Sequence, residues 1–215
     1  MTYHPLWSDD YRLLLMQLFL RKPTGIKPIY SKGMVELALE LHLPPRLLYE
    51  RMFELRRAAT PQTERLWQVY GDNPRRLARD VKTLRRMRGF GSNEAFYNGV
   101  GVRETFERDF RPIADQPQLT PMMLILVLDL YFRLTPATMV RETPEVIELA
   151  KMMRIKPELV EEVMTVFQAC DPYLKRDRQT DSPLMDECRN VWNRFGNDNP
   201  EQLAALAAQL KDYFA

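Results

Sequence analysis

The chain has 215 residues, 45% of them hydrophobic and 28% charged, with a formal net charge of +2. This is the make-up of an ordinary globular protein, long enough for one large domain or two small ones, and either size can bury a core. No apolar run reaches the ~18 residues a membrane span needs; the most apolar stretch, Met122 to Leu134, is broken by Asp129 and Arg133.

The N-terminal string MTYHPLWSDD has neither a basic region nor an apolar core. It does not read as a secretory signal, so a cytoplasmic location without membrane partners is expected. There Cys170 and Cys188, the two cysteines of the chain, are expected to be reduced. The charge is uneven. Residues 1–115 hold 20 Lys/Arg against 14 Asp/Glu, a net of +6, and residues 116–215 hold 11 against 15, a net of −4. Such polarity marks one half as a contact surface for something acidic, or records drift between two parts of the chain.

Strand signals are nearly absent, so the expected fold class is all-α. Ser8-Asp9-Asp10 reads as the N-cap of a helix running to about Leu20. Lys22 to Gly33, with two prolines and two glycines, must be a loop. Met34, Leu37, Ala38 and Leu41 then form the i, i+3, i+4, i+7 stripe of a short amphipathic helix. A His42-Leu43-Pro44 turn leads into a third helix, with Pro45 in its first turn and Leu48, Met52 and Leu55 on one face. Thr60-Pro61 opens a fourth helix ending at Gly71, with Trp67 on its inner face, and Asn73-Pro74 caps a fifth that runs to about Arg88.

The same series then begins again. A shift of 112 lays Leu13 to Ala59 on Ile125 to Asp171 without a gap, and ten of these 47 positions are identical. Average residue usage would produce about three. Leu14/Leu126, Leu18/Leu130, Arg21/Arg133, Glu36/Glu148, Ala38/Ala150 and Met52/Met164 are among the ten. After an insertion of about 13 residues around Leu174 to Ser182, Trp67, Tyr70 and Gly71 face Trp192, Phe195 and Gly196. Asn73-Pro74 then meets Asn199-Pro200. The expectation is a tandem duplication of a five-helix, helix-turn-helix-like unit into two pseudo-symmetric lobes, with Trp67 and Trp192 in equivalent core positions. The lobes are a basic one over residues 1–88 and an acidic one over 120–215. Residues 89–119 carry Gly89, Gly91, Gly99 and Gly101 with Phe90, Phe96, Tyr97, Phe106 and Phe110, and are expected to be an ordered connector that packs against the lobes.

The run LILVLDLYFR, a loop ending in a proline, PEVIELAKMMR, a short turn and a helix leading to FQACDP together resemble a known small helical domain. That domain is found beside the nuclease module in some HNH-type restriction endonucleases. Pro121 to Pro172 is the closer copy, and LLLMQLFLRKP with MVELALELHLPPRLLYERMF is a looser one. The resemblance implies a sequence-reading accessory without the nuclease, since nothing here resembles the HNH metal finger. The whole chain also resembles helical proteins of gut Bacteroidetes, which implies no particular activity. In physical terms, two short helices joined by a three-to-four-residue turn can present the second helix to a DNA groove. Ala38 and Ala150 supply a small residue where the helices cross, and His42 and Arg154 stand where a turn glycine is usual. Helix pairs with short turns are also the commonest way to build any helical bundle, so plain packing is the slightly favoured reading of the motif in each lobe.

Catalytic constellations are nearly absent. His4 and His42 are the only imidazoles; the first lies near a terminus and the second at a helix end. No Ser or Cys has a partner at a recognisable spacing, and two cysteines and two histidines in unrelated contexts make no zinc site. GFG and GVG follow no strand and precede no Lys-Ser/Thr, so neither is a phosphate loop. No enzyme, metal or cofactor is expected.

One feature stands out. Arg75, Arg79, Lys82 and Arg86 fall at spacings of four, three and four on the fifth helix. They make a stripe about 60° wide at 100° per residue. Leu77, Val81 and Leu84 lie opposite, Arg76, Arg85 and Arg88 flank the stripe, and only Asp80 is near in sequence to offset it. A phosphate backbone would relieve the repulsion by releasing counterions; a solvated face paired with acidic residues from other helices is the bland alternative. On the helix after the turn Arg46, Tyr49, Arg51 and Arg56 can approach phosphates or bases, whereas Glu158, Glu161 and Glu162 of the second lobe would repel them. The expected function is non-enzymatic nucleic-acid binding, DNA-binding or regulatory. Arg75, Arg79, Lys82 and Arg86 are assigned to phosphates, with Arg46 and Tyr49 on the turn-following helix. The alternative is a protein-interaction or adaptor module whose acidic lobe and aromatic connector dock a protein partner.

Overall fold

The computed structural model describes residues 7–88, 90, 105–174 and 182–215. Every regular element among them is helical, in agreement with the all-α expectation, and the chain divides into two compact units between Glu104 and Thr105. His4, Gly89, Gly91, Phe96, Tyr97, Gly99, Gly101 and most of the insertion after Leu174 lie outside the described residues.

The first unit holds α1 (Tyr11–Leu20), α2 (Lys32–Leu41), α3 (Pro45–Arg56), α4 (Pro61–Tyr70) and α5 (Pro74–Leu84). α1 is central and packs against the other four. It buries Leu14, Leu15, Met16, Leu18 and Phe19, too many for one stripe, as befits a helix with neighbours on several sides. Local chemistry sets several boundaries. The Thr60 and Thr63 hydroxyls each accept the other residue's backbone N–H, closing a reciprocal cap at the start of α4. The Asn73 side chain accepts the Arg76 N–H at 3.2 Å, and Pro74 takes the first helical position, where a missing N–H costs nothing. Asp10 precedes α1 without a side-chain cap; Asp9 pairs with Arg12 instead.

α2 ends in a left-handed closure at His42 (φ 55°), and the Leu43 N–H reaches back to the Ala38 carbonyl at 3.0 Å. The turn therefore needs no glycine, at the cost of holding a side-chain residue in the αL region. In the second unit Arg154 (φ 58°) and the Ile155 N–H to the Ala150 carbonyl, also 3.0 Å, close a helix in the same way.

The second unit holds α6 (Thr105–Asp109), α7 (Pro121–Tyr131), α8 (Pro144–Met153), α9 (Pro157–Cys170), α10 (Met185–Phe195) and α11 (Pro200–Leu210), ending in a 3-10 turn. α7 packs against α8, α9, α10 and α11, and is buried on all sides from Leu124 to Tyr131. Its one buried charge, Asp129, is held by Arg133 one turn later at 2.9 Å. Residues 105–119 of the expected connector belong to this unit. Phe110, Ile113 and Leu119 are buried, and α6 is tied to α10 by a bidentate Asp109–Arg194 pair (2.6 and 2.8 Å) and by Arg108–Glu187 (2.8 Å).

Two expectations need correction. Trp192 is a core residue, 4% exposed and ringed by Tyr131, Phe132 and Phe167, but Trp67 is only half-buried. Only Thr63 of α4 is buried, so that helix lies on the edge of its unit and cannot enclose an indole. Trp67 instead meets Phe19 edge-on at 5.6 Å and donates its indole N–H to the Leu55 carbonyl at 2.7 Å. α5 also stops at Leu84 rather than near Arg88; the following residues continue as tighter turns, with Arg86 N–H to the Thr83 carbonyl.

Candidate nucleic-acid interface

α5 turns Leu77, Val81 and Leu84 into the core and leaves Arg75, Arg79, Lys82 and Arg86 exposed. Among the described residues no carboxylate lies within ion-pair distance of Arg75, Lys82 or Arg86. Arg79 contacts Asp80, its Nε donating to Oδ1 at 3.2 Å. Arg86 lies just past the helix end, so only the first three stripe residues sit on regular helix.

Two of the three flanking cations are held by carboxylates. Arg76 makes an ion pair with Asp80 at 3.7 Å and stacks over the Tyr70 ring at 5.6 Å. Arg85 forms a bidentate pair with Glu40 of α2 (2.6 and 2.8 Å), so Asp80 is not the sole counter-charge on this helix. The Tyr70 hydroxyl donates to Asp80 Oδ2 at 3.1 Å. Burial pushes the Asp80 carboxyl up, but the hydrogen bonds from Arg79 and Tyr70 and the charges of both arginines outweigh it and hold the group below its usual range. Asp80 is therefore ionised at neutral pH.

On α3 the candidates divide. Arg46 is exposed and makes a loose pair with Glu50 at 3.5 Å, worth little in water. Tyr49 is half-buried, edge-on to Phe53 at 5.0 Å. Arg51 does not face outward as expected. Its guanidinium bonds Glu54 at 2.8 Å and lies over Trp7 at 5.2 Å. α2 and α3 are joined by the three residues 42–44, and α8 and α9 by 154–156.

α11 is the register partner of α5 through Asn73-Pro74 and Asn199-Pro200. Its buried residues Leu203, Ala207 and Leu210 match Leu77, Val81 and Leu84. At the stripe positions α11 and the 3-10 turn after it carry Glu201, Ala205, Ala208 and Asp212, so packing does not require the four cations. Chemistry elsewhere is sparse. Cys170 and Cys188 are free thiols, both pushed up by burial, and among the described residues no group of three His, Cys, Asp or Glu is placed to hold a metal. No described helix is long and apolar enough to cross a membrane.

Sequence reasoning missed the Tyr70–Asp80–Arg79 network, which joins the last residue of α4 to the middle of α5. Asp80 at i+4 from Arg76 was the one visible signal. No protein-family model, curated protein or solved structure matches this chain.

Proposed function

We propose that this protein binds nucleic acid without catalysing a reaction on it, and that the exposed face of α5 contacts the phosphates. The observation that carries this is a contrast along one helix. Arg76 and Arg85 are bound by carboxylates, whereas Arg75, Lys82 and Arg86 beside them have none among the described residues. Cations left together on one face repel one another, and a polyanion that displaces their counterions turns that cost into binding free energy. The stripe runs over roughly 16 Å at 1.5 Å per residue, long enough to follow a phosphate backbone rather than hold one isolated anion. The short turn between α2 and α3, and the resemblance to accessory domains beside HNH nucleases, support a groove-facing role for Arg46 and Tyr49.

We also read the two units as diverged copies of one ancestor. Support comes from the ten matched residues, the twin αL closures at His42 and Arg154, and the Asn-Pro starts of α5 and α11. The edge-on ring pairs Phe19–Trp67 (5.6 Å) and Tyr131–Trp192 (5.8 Å) join equivalent positions. On this view the first copy keeps the phosphate-binding face and the second has acquired another role. Protein docking by the second unit is favoured by Ile147, which is 45% exposed where its counterpart Val35 is fully buried, and by Phe132, which is 39% exposed.

The test is charge reversal. Arg75→Glu with Lys82→Glu removes two phosphate contacts, which lowers affinity roughly 60-fold at about 0.1 M salt for every sequence alike. Helix content and melting temperature stay at wild-type values, because the packing face is untouched. Substituting Arg46 or Tyr49 changes sequence preference instead. If the wild-type protein binds neither duplex nor single-stranded nucleic acid at low salt, this function is refuted and protein docking remains.

A further inference from the structure

Asp80 is the one acidic residue of α5, and three groups converge on it. Arg79 Nε donates to one carboxylate oxygen at 3.2 Å, the Tyr70 hydroxyl donates to the other at 3.1 Å, and Arg76 Nε lies 3.7 Å away. The carboxylate sits beneath these groups: the Asp80 side chain is 29% exposed, against 73% for Arg79 and 50% for Arg76. A guanidinium has five N–H donors in a planar fork. Asp80 engages the Nε edge of Arg79 and leaves its two terminal nitrogens unpartnered among the described residues. That outer pair is the edge that matches two phosphate oxygens.

We propose that Asp80 is a positioning residue for the phosphate-binding face of α5, an inference that rests on the nucleic-acid function above. Tyr70 fixes Asp80 from α4, and Asp80 fixes Arg79 with its bidentate edge outward, while Tyr70 supports Arg76 from below. A free arginine side chain loses rotamer entropy when it binds; one held beforehand loses less. The competing role is masking, in which Asp80 cancels a cation and competes with phosphate for it. The two roles predict opposite changes in the number of phosphates contacted, which the salt dependence of affinity counts.

The experiment measures affinity for a labelled DNA duplex of mixed sequence across a salt series, for wild type, Asp80→Ala, Asp80→Asn and Tyr70→Phe. Positioning predicts that Asp80→Ala flattens the log–log slope by about 0.9, one lost contact, and weakens binding about eightfold at about 0.1 M salt. Asp80→Asn keeps an acceptor oxygen for Arg79 and retains the wild-type slope. Tyr70→Phe leaves the net charge unchanged and still weakens binding, so the test survives if Asp80→Ala fails to fold. A steeper slope or tighter binding in Asp80→Ala means masking and overturns the proposal, as does wild-type affinity in Tyr70→Phe. Absence of wild-type binding overturns the nucleic-acid function itself, and this inference with it.

Discussion

Trp192 and Trp67 occupy matched places in the two units, yet removing them should have unequal effects. Trp192 is 4% exposed and touches Tyr131, Phe132 and Phe167, with ring centroids 5.7 to 6.3 Å away. Truncation to alanine leaves a cavity walled by three rings, which costs roughly 3–5 kcal/mol. Trp67 is half-buried, and water can fill much of the space it vacates. Trp67→Ala should therefore cost about 2 kcal/mol, made of partial apolar burial and the indole bond to the Leu55 carbonyl. Trp67→Phe separates these contributions by keeping a ring and losing only the hydrogen bond, about 1 kcal/mol. Urea unfolding followed by circular dichroism measures all three. An equal or larger loss for Trp67→Ala than for Trp192→Ala would refute the assignment of α4 to the edge of its unit.

Three further outcomes follow from local geometry and from burial. Arg154 holds an αL conformation with an exposed side chain, so Arg154→Gly should raise stability by roughly 0.5–1 kcal/mol, whereas Arg154→Ala, which keeps the strain, should not; loss of stability in the glycine variant contradicts the left-handed closure. The Cys188 thiol is fully buried and its ionisation is pushed up by that burial, so at a given pH it carries less thiolate folded than unfolded. Iodoacetamide at mildly alkaline pH should label Cys188 in urea and spare it in the native protein. The same shift means that stability falls as pH rises past the free-thiol value, because only the unfolded chain ionises there.

What was legible in the sequence was local. Pro at the first helical position and Thr or Asn before it announced the starts of α4, α5 and α11, because a cap is satisfied within three residues. The exposed stripe on α5 could be read because the three buried residues opposite it follow the helical period. Features that depend on distant partners were not legible. Arg85 binds Glu40, 45 residues earlier, and so is not a free flanking cation. Arg51 turns inward because Glu54 and Trp7 receive it. The half-exposure of Trp67 depends on how little packs over α4. The Asp80 hub requires α4 and α5 to fold back on each other, which brings Tyr70 within reach of a residue ten positions on.

Phosphate contacts along α5 are read out by the affinity of the wild-type protein for duplex DNA between about 50 and 200 mM salt. Three to four contacts through Arg75, Arg79, Lys82 and Arg86 predict a log–log slope of about −2.7 to −3.6, hence a roughly 40- to 150-fold loss over that range. A slope near zero, or no binding at the lowest salt, contradicts the account.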